Sequence, residues 1–166
     1  PALTGLRVPR MAAGARASLT DISMATTQAE VAYAILEGIA HSVASCIEAD
    51  EEVSGVQVSE LVVGGGLSSS DPLLRIQADL LGIPIRRMQE ADRASLRGAA
   101  FLAGASGLLW PSLQAARQTA ATDAVFQPTL AAEARARRRA LWHSRVESEL
   151  AHAGLYSPDK QEALRT

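Results

Sequence analysis

Residues 60–74 constrain the fold of this chain more than any other stretch, because they combine a strand, a glycine turn and a helix start. Leu61–Val63 is a short apolar run, typical of a strand that is buried on both faces. Three glycines follow at once: Gly64, Gly65 and Gly66. Glycine lets the backbone take positive φ and lets a ligand approach the main chain closely. Ser70 or Asp71 can then cap a helix. The segment is therefore the candidate ligand site.

The glycine turn has two open interpretations. Amides exposed at a helix N-terminus attract anions or hydrogen-bond acceptors of a ligand, whereas a purely structural turn would only connect strand and helix tightly. Two known glycine loops do not fit. The dinucleotide fingerprint meets Ser69 at its third glycine, and Pro84 stands about 20 residues on, where an acid should hold the ribose. The phosphate loop needs a lysine that does not follow here, so neither Rossmann nor P-loop chemistry is supported.

Composition bounds the class of protein. The 166 residues are 48% hydrophobic, which is enough for one ordinary domain with a core. Sixteen basic and 18 acidic residues give a net charge of −2, so no global field draws the protein to nucleic acid or to an anionic membrane. The single cysteine, Cys46, excludes an internal disulfide and fits a reducing cytoplasm. We expect a soluble cytoplasmic protein without a membrane span.

Apolar periodicity and capping signals predict alternating helices and strands. Thr27 and Glu30 match a capping box, and the helix that they begin runs to about Ala49, with the acidic residues 50–52 in the solvated connection that follows. The helix after the glycine turn ends at Gly82, a position that favours a left-handed residue. A short strand begins at residues 83–85. This order predicts an α/β layer arrangement.

Two further helices complete the expected structure. One runs from Asp92 to about Leu109, and Gly98 inside it predicts a near contact with another backbone, because glycine otherwise weakens a helix. The other runs from Leu130 to about Ala153. Residues 1–153 are therefore expected to fold, and residues 154–166 to form a flexible tail.

Histidines and arginines do not indicate a metal or a nucleic-acid site. The three histidines stand apart in sequence, without acidic or cysteine partners at metal-ligand spacing: His41, His143 and His152. Residues 135–139 contain four arginines, but glutamates dilute them and no aromatic stacking set is interleaved. A solvated helix face is the simpler interpretation.

Three segments, in order, resemble the C-terminal part of the FGGY carbohydrate kinases, most closely the glycerol kinase branch. They are the glycine turn, residues 77–82 with the sequence QADLLG, and residues 98–104 with the sequence GAAFLAG. The similarity extends to residues 3–6 (LTGL), 36–40 (LEGIA) and the terminal helix with Arg135, Arg138 and Trp142. Roughly 150 residues are covered, which is far more specific than a lone glycine turn.

The resemblance implies an actin-like, ribonuclease H-like ATPase domain, present as its C-terminal portion with an incomplete sheet flanked by helices. It implies that Gly64, Gly65 and Gly66 cradle the adenosine part of ATP. Ser70 corresponds to the adenine-contacting Asn of the family, and serine lacks the paired donor and acceptor of a carboxamide. The resemblance also implies Mg²⁺, held mainly outside this chain, and glycerol or a sugar as the acceptor substrate.

The family's phosphate-binding Asp-x-Gly-Thr turn and its catalytic Asp in a Gly-Asp-Gln segment do not occur in this sequence. We therefore expect part of an ATP-dependent polyol kinase that is inactive by itself. Two alternatives stay open: another FGGY kinase acting on a pentose or a similar sugar, and a non-catalytic, kinase-derived domain for assembly or regulation. The second is suggested by Ser70 and by Arg97, which stands just before Gly98. Homo-oligomerisation also stays open.

Overall fold

The computed structural model describes residues 2–107 and 109–153. The predicted tail, residues 154–166, lies outside them. The chain divides into two compact units, one formed by the described parts of Pro1–Gln57 and Leu130–Thr166, the other by Val58–Thr129. Each unit is described below by itself.

The unit Val58–Thr129 contains the sheet. Its elements, in chain order, are β1 (Leu61–Val63), α2 (Asp71–Leu81), β2 (Ile85–Met88), α3 (Ala94–Ser106), α4 (Leu113–Gln118) and β3 (Thr122–Phe126), numbered after α1 of the other unit. The strand order is β1-β2-β3, with β1 parallel to β2 and β2 antiparallel to β3. The α/β prediction is confirmed. The sequence interpretation missed β3 and α4.

The core of this unit lies between α2 and the sheet. Leu74 and Ala78 of α2 pack with Ile85 of β2 and Phe126 of β3, and all four are nearly inaccessible to solvent. Helix α2 faces the sheet because its apolar residues recur at helical spacing. Its ends are the predicted ones. Ser70 caps the start, and Gly82 closes the end in a left-handed conformation with φ 72°.

Two glycines of α3 have opposite surroundings. A Cβ built on Gly98 would meet no atom within 4 Å, so the predicted backbone contact at this residue is wrong. A Cβ built on Gly104 would lie 2.2 Å from Cζ3 of Trp110, whose ring also packs edge-to-face on Phe101. The close approach that glycine permits is therefore to an indole, and it occurs six residues later than expected.

The other unit contains two long helices, α1 (Gln28–Ser54) and α5 (Ala132–Ala153). The capping box at the start of α1 is confirmed: the Thr27 amide donates to Glu30 Oε2 at 2.8 Å, and the Glu30 amide donates to Thr27 Oγ1 at 3.3 Å. Helix α1 ends at Gly55, with φ 69°, so the acidic residues 50–52 lie inside its last turns and not in the connection. The helix extends past Ala49 to Ser54 because the residue in the left-handed conformation that ends it is Gly55.

Helix α1 is long and apolar enough to cross a membrane, judged by length and composition alone. Buried helices of globular proteins satisfy the same criterion. Two acids of α1 form ion pairs with α5, Glu37 with Arg138 at 3.1 Å and Glu48 with Arg139. These ion pairs join α1 to α5 within this unit.

The two glycines of α3 give the first prediction. Gly98→Ala should raise the free energy of unfolding by up to about 1 kcal/mol, because the new methyl group meets open space and the unfolded chain loses freedom. Gly104→Ala should lower it by about 1–3 kcal/mol, because the Trp110 ring must move. Urea denaturation of both variants measures the difference. Equal changes in the two variants would contradict the open space at Gly98 and the close contact with Trp110 at Gly104.

Candidate functional site

The glycine turn lies where the carboxyl ends of β1 and β2 meet. Because these strands are parallel, the segments that follow them leave from the same edge of the sheet. The amide of Gly65 donates a hydrogen bond to the carbonyl of Ala91 at 2.6 Å. This bond ties the turn to the short 3-10 segment Ala91–Arg93, which leads directly into α3.

The three glycines of the turn differ in backbone conformation and in surroundings. A Cβ on Gly64 would lie 2.7 Å from the Cβ of Ala94, so this position allows the turn to lie against α3. Gly65 has φ +100° and ψ 173°, a region that residues with a side chain rarely adopt. Gly66 has no such φ. A Cβ on Gly65 or Gly66 would meet nothing within 4 Å, so the space beside both glycines is open.

Serines stabilise the turn and the start of α2. The 3-10 segment Gly66–Ser69 follows the glycines; within it, Ser68 Oγ donates to the Gly65 carbonyl at 2.6 Å and Ser69 Oγ to the Gly66 carbonyl at 2.7 Å. Ser70 Oγ accepts from the Leu73 amide at 3.4 Å, as the helix cap. The Ser70 hydroxyl therefore already serves as an acceptor for α2.

The side chain of Arg87, in β2, contacts this region. The sequence interpretation missed it. Its Nη1 donates to the Ser68 carbonyl at 3.1 Å and to Asp71 Oδ1 at 2.7 Å, and its Nε donates to Asp123 Oδ2 at 2.6 Å. The hydrogen bonds that Arg87 donates to Asp71 and Asp123 stabilise its charged form and raise its pKa above the usual value. These acids stand 16 and 36 residues away in the chain, so no local pattern indicated the cluster.

Two histidines that are distant in sequence meet at Arg139 of α5. Arg139 Nη1 lies 3.0 Å from His41 Nδ1, Nη2 lies 3.3 Å from His143 Nε2, and both Nε and Nη2 donate to the carboxylate of Glu48. His41 is only 4% exposed and stacks on Trp142 with ring centroids 5.0 Å apart. Burial, followed by the charge of Arg139, lowers the pKa of His41 to about 3.

This cluster joins α1 to α5 and does not resemble a metal site. Arg139 is a buried cation, and a metal ion beside it would face its charge. Among residues 2–107 and 109–153, no group of three or more His, Cys, Asp and Glu side chains could hold a metal ion.

A cleft of about 300 Å³ lies beside the same cluster. Residues 6–10, α1 and α5 line it, with Trp142 and Val146 among the apolar members. Arg7 and Glu52 place both signs of charge on its wall, so the lining favours no single class of ligand.

Comparison with known proteins identifies the family. The C-terminal domain of the FGGY family of carbohydrate kinases matches residues 1–107. The chain therefore belongs to the FGGY family of carbohydrate kinases.

Glycerol kinases are among its similar relatives. The chain is 38% identical over 147 residues to the glycerol kinase of Rhodopirellula baltica and 39% identical over 150 residues to that of Dechloromonas aromatica. These alignments cover 89% and 90% of this chain, but only 27% and 30% of the relatives. The chain thus spans less than a third of their length.

Solved structures agree with this assignment. The glycerol kinase of Plasmodium falciparum, determined with ADP, matches with a TM-score of 0.78 at 29% identity, over 90% of this chain and 30% of that one. The xylulose kinase of Lactobacillus acidophilus matches with a TM-score of 0.73 at 26% identity, over 94% and 31%. The expected fold, the C-terminal portion of an actin-like ATPase domain, is confirmed.

The glycine turn generates a prediction about stability. Gly65→Ala should lower the free energy of unfolding by about 1–3 kcal/mol, because alanine is strained at φ +100°. Gly66→Ala should change it by no more than about 0.5 kcal/mol, because its methyl group meets open space at an ordinary φ. Denaturant titration of both variants tests this. A larger loss at Gly66 than at Gly65 would contradict the observed backbone.

His41 gives a prediction about pH. Its pKa in the folded protein, about 3, lies below the usual 6.5, so below pH 6.5 the unfolded state binds the proton more readily. The contribution of neutral His41 to the free energy of unfolding is therefore fully present above pH 6.5. It decreases as the pH falls toward 3, by at most about 1.4 kcal/mol per pH unit.

The variant His41→Gln isolates this contribution, because glutamine retains an acceptor for Arg139 but does not titrate. Its free energy of unfolding should fall less steeply between pH 6.5 and pH 4 than that of the wild type. Chemical denaturation at several pH values measures both slopes. Identical slopes would exclude His41 as the titrating group.

Proposed function

We propose that this chain is part of an ATP-dependent carbohydrate kinase, with glycerol as the acceptor, and that residues 1–153 are the C-terminal part of its nucleotide-binding domain. The family match over residues 1–107 carries this proposal, together with the glycerol kinases among its relatives. The chain contributes the half of the ATP site that receives adenosine.

Gly64, Gly65, Gly66 and Ser70 are the proposed nucleotide-binding residues. The assignment of Gly65 and Gly66 rests on the open space beside them, which a Cβ at either position would begin to fill. Glycine allows a ligand to approach the main chain closely, because it has no Cβ. Gly64 has a supporting role, since it lets the turn lie against Ala94.

In this proposal the chain binds and orients, and the chemistry belongs to residues outside it. Phosphoryl transfer depends on positioning and on charge stabilisation around the transferred group, with Mg²⁺ bridging the phosphates. We assign Mg²⁺ mainly to the remainder of the kinase, as the resemblance to the family implies. Among the described residues, no group of three or more His, Cys, Asp and Glu side chains could hold a metal ion. The role of the chain is to fix the nucleoside end of ATP, and by itself it should not turn over substrate.

A non-catalytic, kinase-derived domain is the second candidate. It is favoured by Ser70, whose hydroxyl already accepts the Leu73 amide and therefore offers less to a base than a carboxamide would. Calorimetry of the intact protein separates the two functions. Measurable heat of ATP binding would support the kinase. The absence of binding heat at millimolar ATP would support the non-catalytic domain.

A graded substitution series at Gly66 tests the nucleotide site. Gly66→Ala should weaken ATP binding by the intact protein, and Gly66→Val should abolish it, because the side chain enters the space proposed for the nucleoside. Calorimetric titration with ATP measures the affinity, and thermal unfolding shows that both variants remain folded.

The matched control is Ala136→Val, which adds bulk on an exposed position of α5. Its ATP affinity should equal that of the wild type. Unchanged affinity in a folded Gly66→Val protein would refute the assignment of the turn.

A further inference from the structure

The glycine turn is held by a side chain as well as by backbone hydrogen bonds. Its 3-10 segment ends at Ser69, and the last carbonyls of such a segment lack partners within it. The Ser68 carbonyl is one of these, and Ser68 is only 4% exposed. Arg87 Nη1 donates to that carbonyl at 3.1 Å. A side chain of β2 therefore supplies the hydrogen bond that the carbonyl lacks within its own segment.

We propose that Arg87 is a positioning residue that holds the glycine turn in the shape that receives the nucleoside of ATP. This inference rests on the proposed function and deepens it. Arg87 would act through the turn, with no contact to the nucleotide itself.

The geometry of the guanidinium supports this role. One planar group bonds to three elements at once: the turn through Ser68, the first residue of α2 through Asp71, and β3 through Asp123. Arginine presents its donors in a fixed planar arrangement, which fixes the acceptors relative to one another. The guanidinium carbon also lies 5.4 Å from the centre of the Phe126 ring, and Phe126 belongs to the core. The turn is thereby coupled to a rigid part of the unit.

The charges argue against direct phosphate binding by Arg87. Two carboxylates already face its single positive charge, at 2.7 Å from Asp71 and 2.6 Å from Asp123. The cluster as a whole is therefore negative and would repel a phosphate. The Arg87 side chain is only 16% exposed, which also fits a role within the protein.

The neighbouring Arg86 is a natural control. Successive side chains of a strand point to opposite faces, and Arg86 accordingly pairs with Glu60, not with the turn. Its Nε donates to Glu60 Oε1 at 3.0 Å. Removing Arg86 thus deletes an arginine and an ion pair from the same strand while leaving the contact to Ser68 intact.

The experiment compares Arg87→Ala, Arg87→Lys and Arg86→Ala in the intact kinase. Arg87→Ala should raise the KM for ATP roughly tenfold, because the turn loses its alignment, while the KM for glycerol changes less than about twofold. Arg87→Lys should be intermediate, because lysine keeps the charge without the planar donor set. Arg86→Ala should leave the KM for ATP within about twofold of wild type, whatever its effect on stability.

Hydrogen exchange without nucleotide provides an independent measurement. The amides of Ser68 and Ser70 bond to carbonyls within the turn, at 3.1 Å each, and should exchange faster in Arg87→Ala than in Arg86→Ala. If Arg87→Ala does not fold, Arg87→Lys carries both measurements.

An unchanged KM for ATP in a folded Arg87 variant, or an equal rise in Arg86→Ala, would overturn the inference. Failure of the proposed function looks different, since the wild-type protein would then bind no ATP. In that case the exchange rates would still decide whether Arg87 holds the turn.

Discussion

The parallel pairing of β1 with β2 determines where the candidate site lies. Parallel strands send their following segments off the same edge of a sheet, and α2 forms the connection between them. The turn after β1 and the segment after β2 are therefore neighbours, and the 2.6 Å bond from the Gly65 amide to Ala91 joins them. The position of the open backbone at Gly65 and Gly66 thus depends on this pairing.

Local chemistry explains which parts of the fold could be predicted. The capping box at Thr27, the cap at Ser70 and the left-handed Gly82 each depend on residues within one helix turn. Strand β3 was missed because its partner, β2, lies far away in the chain, and α4 because six residues show little periodicity. The error at Gly98 has the same origin, since sequence shows that glycine is present but not what faces it.

In the candidate site, too, residues close together in the chain could be predicted and partners distant in the chain could not. Its glycines and its capping serine were found from the sequence, because they lie together within residues 64–70. Arg87 was not, since its carbonyl and carboxylate partners come from three separate elements. The Arg139 cluster shows the same limit, because two helices about 90 residues apart supply it. Sequence thus indicates a candidate site whose residues lie together in the chain more readily than partners that come from separate elements.

The serine at position 70 changes what the start of α2 can offer to a bound nucleoside. Its Oγ accepts the Leu73 amide, so the hydroxyl retains one proton to donate. A carboxamide presents a donor and an acceptor side by side and can pair with a base edge, whereas a single hydroxyl cannot. If the turn binds ATP as we propose, recognition must depend mainly on the exposed backbone of Gly65 and Gly66. ATP binding would then depend strongly on the exact conformation of this backbone. The hydrogen bond from Arg87 to the Ser68 carbonyl would maintain that conformation.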